Sequence, residues 1–554
     1  MDMKIVWAAL ALVASSACTN EQSPGQSAAG GQGAAAGQGG AAGQGGAAIA
    51  NGGTTLTTAG ASNGGAAGSA GMAGSANTSG SGGMAGGAPL ACDVPRRALG
   101  SGTLAFGSGV AKYDAAYAKA TANIAQDVVN GVFNAGEAWA QVWTRDTSYS
   151  IDLGAGLLRA DVAKKTLQGM TEKDNGAGSN GAKSVWVQDV AGHFGGWPNL
   201  SDAIVGAQGA WSLYLTTGDA DLLSWSYGIT VNSLARAERD VFIPSAGLFG
   251  GCSSFMESNS GYPKKYANTK TLLAKTKALS TNLLYYRGYV VAAAMGKILG
   301  KDVSSFESKA TKLKAAINTH LWQEDAGYYA YFEDENGVKE PKMEGTGESF
   351  AVLWGVADAA QTKRILENTP TTAWGLPCLW PQYPEWLSYS GGSTANYYHN
   401  GMVWPFVQGY WGWASAAGGS ASRFATELER MRVLSEKGDT FQEFYHPEDG
   451  TPDGSHRQLW SASGYLSMVY HGLIGMSFDE SGVTFAPMVP AAFQQVTLDG
   501  IPYRGMTLNV SVHGSGSQIA KFSLDGTVSS EPHISNALTG KHDVKIVLSE
   551  CSTQ

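Results

Sequence analysis

Phe441-Gln-Glu-Phe-Tyr-His-Pro-Glu-Asp-Gly-Thr-Pro-Asp-Gly-Ser-His-Arg-Gln-Leu-Trp460 separates two helical patterns and holds one carboxylate, Glu443, among aromatic neighbours. A Pro/Gly/Asp-rich turn follows at once. A carboxylate set beside a rigid turn and between rings suits a base that must hold a water still while facing a sugar. The plainer alternative is a solvated acidic loop ahead of a helix. The rest of the chain decides between them.

Working outward, apolar residues recur at spacings of three and four on both sides of this loop. Met402, Val403, Phe406, Val407, Tyr410 and Trp411 follow that pattern after Trp404-Pro405, as do Val303, Phe306, Ala310, Leu313, Ile317 and Leu321, with Asp302 placed to cap. The same pattern predicts helices near 113–129, 146–157, 160–172, 200–216, 219–238, 278–299, 346–356, 359–367, 420–437 and 456–474, about a dozen in all. A dozen helices joined by Gly/Trp/Pro-rich loops suit helical hairpins arranged in a ring, with the loops at one end forming a site. After Gly475 the pattern changes to short β-branched runs at 483–485, 496–498, 506–512, 519–522 and 544–548, which predict a small β-sandwich.

The first ninety residues read differently. Met1 to Cys18 has a lysine, an apolar run too short to span a bilayer and the ending Ser15-Ser16-Ala17-Cys18, the pattern of a secretory signal. The ending resembles a bacterial lipobox with Cys18 lipidated, which predicts an exported, membrane-tethered protein; an ordinary periplasmic or secreted protein is the alternative. Residues 19–90 are nearly all Gly, Ala, Ser, Gln and Thr, a composition that predicts a disordered tether. The expected organisation is therefore signal 1–18, linker 19–90, helical domain 91–475 and β-domain 476–554.

The net charge is −9 with no basic cluster, which excludes the usual electrostatic footprint of a nucleic-acid binder. Beyond Cys18 the cysteines are Cys92, Cys252, Cys378 and Cys551. Four in an exported chain allow two disulfides, and the favoured pairing is Cys92 with Cys551 and Cys252 with Cys378. No Cys/His spacing points to zinc. Calcium is an option at Asp449 and Asp453, although their tight turn suits turn formation better.

Four further stretches carry chemistry. Trp143-Thr-Arg145-Asp146 offers a ring face with an Arg/Asp pair able to donate and accept hydrogen bonds to sugar hydroxyls; a helix-capping Asp is the plainer alternative. Glu257, in Phe255-Met-Glu-Ser-Asn-Ser-Gly261, is the only carboxylate between Asp240 and Asp302, and partial burial would favour a proton donor. Tyr397-Tyr-His399-Asn400-Gly-Met-Val-Trp404-Pro405 reads as a sugar-lining wall or as a well-packed start of a helix. Trp197 precedes Asp202, which could bind a hydroxyl or cap the next helix.

Trp143 to Asp146 resembles the motif by which glucoamylases hold a sugar, while 396–405 and 442–447 through Trp460-Ser461-Ala462 resemble the C-terminal motifs of the six-hairpin (α/α)6 glycosidases. That superfamily includes glucoamylases, trehalases, debranching glucosidases and mannosylglycerate hydrolases, the last being nearest. The resemblance spans about Ala105 to Pro490. It implies a mainly α fold, an (α/α)6 barrel followed by the small β-sandwich, and an inverting glycoside hydrolase acting on an α-linked oligosaccharide or small glycoside. Glu443 would be the general base and Glu257 the acid, with Asp202 the alternative acid, because the related Glu-Ser-Gly-x-Asp pattern lacks its Asp here. Trp143, Arg145, Asp146, Trp197, Asp202, His399, Asn400, Trp404 and Trp460 would meet the sugar. No cofactor is expected; the partners are a carbohydrate and, through lipid, a membrane, and the chain is expected to be a monomer. A sugar phosphorylase and a non-catalytic glycan-binding lipoprotein are the rival functions.

Overall fold

A computed structural model describes residues 96–550 apart from 98, 100–103, 177, 178, 180, 182, 188–201, 257, 268 and 388–397. The signal, the tether, Cys18, Cys92 and Cys551 lie outside the described residues. Twelve helices of seven residues or more are found among those described: α1 Ala111–Gln126, α2 Thr144–Ser150, α3 Ala160–Gln168, α4 Asp202–Thr217, α5 Ala220–Asp240, α6 Leu279–Ile298, α7 Ser304–Leu321, α8 Gly345–Leu353, α9 Ala359–Asn368, α10 Pro405–Ala417, α11 Ala421–Lys437 and α12 Leu459–Ser467. Each expected helical segment overlaps one of them.

Their packing follows from how much of each circumference is apolar. Every residue of α2 and of α12 is buried, whereas α7 buries only Ala310, Leu313, Ile317 and Leu321, a stripe at spacings of three and four. A helix buried all round must sit inside others, and a striped one must lie on the outside. Accordingly α2 packs on α4, α4 on α6, α6 on α8, α8 on α10, α10 on α12 and α12 back on α2, so the even-numbered helices close a circuit. The odd-numbered helices flank it: α1 on α12, α3 on α4, α5 on α4 and α6, α7 on α6, α9 on α8 and α11 on α10. Burial of each large aliphatic side chain in the α7 stripe contributes about 1.5 to 3 kcal/mol.

Helix ends obey local chemistry. Asp219 accepts a hydrogen bond from Leu222 N at the start of α5, and Asp358 with Gln361 forms a capping box on α9. Asp302 accepts from Ser304 N at 3.0 Å, although Val303 occupies the cap position of α7. Where α10 crosses α12 the backbones nearly touch: a methyl on Gly409 would lie 2.4 Å from Gly464 Cα. Only glycine admits that approach.

The last helical turn ends at Leu473 and strands begin at Met476. Two sheets follow. One has six strands in the order 105–107, 495–503, 506–513, 540–550, 515–524, 527–529; the other has three, 476–478, 482–485 and 533–535. Met506–His513 runs parallel to Gly540–Glu550, and the other ladders are antiparallel. Leu508, Val510 and Val512 alternate inward, as do Val544, Ile546 and Leu548, and Phe522 of one sheet meets Phe485 of the other at 5.9 Å. Ala105–Gly107, from ahead of the helices, completes the larger sheet by pairing with 497–499, a contribution the sequence reading did not include. Arg504 ties this sheet to α4, its backbone N–H donating to Thr216 O at 2.8 Å and its Nε to Leu215 O at 3.1 Å, which satisfies carbonyls at the helix C-terminus.

Two-residue ribbons between helices are a second departure. The opening stretch forms one of them, Phe444 opposite Asp453 and Tyr445 opposite Pro452. The expected Cys252–Cys378 disulfide is a third. Both residues are buried thiols. Cys378 donates to His399 O at 3.3 Å, and burial pushes its thiol up to about 12, so it behaves as a small apolar residue with a weak donor. No described helix is long and apolar enough to cross a membrane.

Candidate active site

Helices α2 and α12 begin side by side, and the loops ahead of them wall a cleft lined by Trp139, Trp143, Arg145, Asp146, Tyr398, Glu443, Gln458 and Trp460 together with Ala135. Trp143 and Gln458 are the cap residues of those two helices, so Arg145, Asp146 and Trp460 fall in their first turns. The cleft thus gathers residues from both ends of the helical region.

Glu443 is 3 % exposed. Its Oε2 accepts from Trp139 Nε1 at 2.9 Å and from Ser455 N at 2.7 Å, while its own N–H donates to Ser455 O at 2.9 Å. The ribbon of the opening stretch therefore pins the residue from both backbone and side chain. Oε1 has no hydrogen-bond partner among the described residues and is left to the cleft. Gly454, at φ +75°, lies against this carboxylate: a methyl there would sit 2.6 Å from Oε2. Burial first, then the charges of Asp146 and Asp453, push the Glu443 carboxyl up to about 7 against the pull of the Trp139 and Ser455 hydrogen bonds.

Asp146 is also buried and accepts from Gln458 Nε2 at 3.0 Å. Burial raises it to about 7, opposed mainly by the adjacent Arg145. Arg145 Nη1 donates to Phe255 O at 2.8 Å, tying the 252–256 segment to the start of α2. Trp460 stacks on Phe406 with centroids 4.1 Å apart, and Trp139 meets Trp143 edge-on at 6.1 Å, so the cleft's ring walls are held by other rings.

Of the residues expected from sequence, Trp143, Arg145, Asp146, Glu443 and Trp460 come together. His399, Asn400 and Trp404 do not line the cleft; the structure gives them a supporting part. Asn400 clamps the Tyr383 backbone through Oδ1 at 2.6 Å and Nδ2 at 3.1 Å, and Trp404 Nε1 donates to Tyr398 O at 3.2 Å, fixing the wall residue Tyr398. His399 is buried against Trp404 at 5.3 Å, and burial followed by the Arg145 charge lowers its pKa well below the usual histidine value, so it is neutral. Glu257 and Trp197 lie outside the described residues, and Asp202 is described only as the first residue of α4. Asp449 and Asp453 accept from Thr451 N and Gly454 N, each at or below 2.8 Å, and so shape the turn.

Sequence reasoning missed Trp139 and Gln458, whereas Tyr398 belongs to the stretch read as a sugar-lining wall. A signal existed for the first, a tryptophan one helical turn ahead of Trp143, and for the second, a polar side chain at the cap just ahead of Trp460.

Residues 140–461 match the family described as the mannosylglycerate hydrolase MGH1-like glycoside hydrolase domain. A mannosylglycerate hydrolase of Rubrobacter radiotolerans is 25 % identical over 203 residues, covering 34 % of this chain and 43 % of the relative, so the match spans less than half of that protein. Among solved structures, a GH63 mannosylglycerate hydrolase from Thermus thermophilus in complex with Tris superposes with a TM-score of 0.51 at 15 % identity, over 64 % of this chain and 99 % of that one. A GH78 family rhamnosidase of Bacillus sp. GL1 gives 0.54 at 13 % identity, over 81 % and 44 %. At such identities these likenesses speak for the fold. The family match covers more than half of the sequence and includes Arg145, Asp146, Glu443 and Trp460: the chain belongs to the mannosylglycerate hydrolase MGH1-like glycoside hydrolase domain family.

Proposed function

We propose that the protein is an inverting glycoside hydrolase, acting on a small glycoside or an α-linked oligosaccharide, with Glu443 as the general base. The observation that carries this is the asymmetric hold on Glu443: both donors converge on Oε2, leaving Oε1 to take a proton from a water in a ring-walled cleft. A pKa near 7 matches a base that works at neutral pH. Trp143 and Trp460 would face the sugar ring, with Arg145 and Asp146 at its hydroxyls. Glu257 is the proposed acid and Asp202 the alternative; support for Glu257 comes from Arg145, which fastens Phe255, two residues earlier in the chain, to the cleft. Inversion calls for roughly 6.5 to 9.5 Å between acid and base.

The closed circuit of even-numbered helices flanked by odd ones supports reading the helical region as an (α/α)6 barrel, and the two C-terminal sheets support a β-sandwich. A phosphorylase is disfavoured because Arg457, the one Lys or Arg of the 441–460 stretch that holds Glu443, is engaged by Asp127 at 2.8 Å and Glu137 at 3.3 Å. Export and lipid anchoring through Cys18 belong to the same reading. The test is hydrolysis of mannosylglycerate, the compound for which the Rubrobacter relative is named, alongside α-linked disaccharides, with the product anomer followed by NMR in the first minutes. Inverted product supports the reading, and retained configuration ends it.

A further inference from the structure

Deeper along the same inner helices lies a second cavity that shares no lining residue with the cleft. From Gln458 at the cleft to His471 on the cavity wall is thirteen residues of helix, about 20 Å. At this level α12 runs into a wide π turn, Met468–Leu473, of a kind that often accompanies ligand sites, and the chain after α2 kinks at Gly154 (φ 123°).

Arg287 on α6 is the group that the folding of this region does not explain. Its Nε donates to Gln208 Oε1 at 2.7 Å and its guanidinium lies 6.0 Å from the Trp354 ring centre, so its orientation is fixed. The two terminal nitrogens have no hydrogen-bond partner among the described residues. The obvious counter-ion, Asp152, is taken by other donors: Gln208 Nε2 at 2.8 Å and Ser212 Oγ at 2.5 Å on Oδ1, and Tyr410 OH at 2.9 Å on Oδ2. Burial lowers the pKa of Arg287 below the ordinary arginine value, with Asp152 and Glu480 pulling the other way from a distance. Arg287 is half-buried, with its terminal nitrogens open to the cavity, and the planar fork of a guanidinium matches a carboxylate or phosphate.

We propose that this cavity is a second binding site, for a small molecule carrying an oxyanion on a compact sugar-sized body, with the Arg287 fork taking the anion and Trp354 and Trp413 flanking the body. The proposal does not depend on the hydrolytic reading, since no residue is common to the two sites. Isothermal titration calorimetry of the full chain with glucuronate, glucose 6-phosphate and glucose tests it, the three probes sharing a ring and differing in carboxylate, phosphate or no charge. At least one anion should bind ten-fold or more tightly than glucose, and which one does so identifies the oxyanion. Arg287→Lys, which keeps the charge and loses the fork, should weaken that anion at least ten-fold, while Trp143→Ala in the cleft leaves it unchanged. Ser477→Asp, at an exposed position on the cavity rim, gives a second variant whose folding is not in question, and should weaken the anion to a similar degree. Equal affinity for glucose and both anions, no binding of either anion, or anion binding that survives Arg287→Lys and Ser477→Asp would overturn the assignment.

Discussion

Glu443 in the cleft and Glu344 beneath the 252–256 segment are nearly matched in their immediate chemistry. Each is buried, each accepts one backbone and one side-chain hydrogen bond, and burial pushes each carboxyl to about 7. The difference is where the donors fall. Ser253 Oγ meets one oxygen of Glu344 at 2.6 Å and Ser280 N the other at 3.0 Å, leaving neither free, and the residue is 0 % exposed. On Glu443 both donors share one oxygen and the other faces the cleft. A raised pKa reports burial; catalysis needs burial together with a lone pair that water can reach.

The most severe way to break this pairing is to make the same change at both. Glu443→Gln keeps shape and removes proton transfer, and should lower kcat by on the order of 10²-fold or more. Glu344→Gln should change kcat less than about ten-fold, because its part is to hold the 252–256 segment. Steady-state kinetics on the two variants checks this, and equal losses would erase the distinction drawn between them.

A smaller effect is expected at Gly454. A methyl there meets Glu443 Oε2 at 2.6 Å on a backbone already at positive φ, so Gly454→Ala must move the carboxylate or the ribbon. The expected result is a loss of kcat of roughly 10-fold to 100-fold, since displacements of the order of an ångström are costly to catalysis. The melting temperature should fall as well, and unchanged kcat would show that Oε2 is not fixed by this contact.

The site was legible in sequence where its residues are contiguous. Trp143 to Asp146 and Phe441 to Trp460 announce themselves by aromatic, acidic and turn-forming residues packed into one stretch, and helix starts then carry them to the same place. Trp139 was not legible in its role, because its hydrogen bond to Glu443 joins residues 304 apart. The helices were legible because their period extends over many turns; the ribbons and the strand 105–107 are two or three residues long and have no period to read. The Cys252–Cys378 pairing failed because an even count says nothing of geometry, and Cys378 lies among buried residues with His399 O as its partner.

Trp139→Phe sharpens the comparison by taking one donor from Glu443. That hydrogen bond stabilises the ionised form, so its loss raises the pKa of the base. The acid limb of kcat/KM, expected near pH 7, should move to higher pH by roughly 0.7 of a unit, from a hydrogen bond of about 1 kcal/mol. Activity near pH 7 then falls a few-fold and recovers at higher pH, and a pH–rate profile with an unmoved limb would remove Trp139 from the account.

The smallest expected effect is on stability, and it separates the two glutamates again. A carboxyl at about 7 in the folded chain and near 4.5 when unfolded binds its proton more tightly in the fold. Its contribution is therefore fully present below about pH 4.5 and is lost as pH rises through 7, because the unfolded chain ionises first. Glutamine cannot ionise, so both Glu→Gln variants should gain on the wild type as pH rises over this window, by roughly 1 to 3 kcal/mol at pH 8. Glu344, with no oxygen on the cleft, should give the larger gain, and Glu443, whose ionised Oε1 water can solvate, the smaller. Urea unfolding of the three proteins at pH 4.5, 6 and 8 measures this directly. A larger gain at Glu443 than at Glu344 would mean that the cleft shields its carboxylate from water more completely than the sealed site does, and the free lone pair on Oε1 would no longer set the two apart.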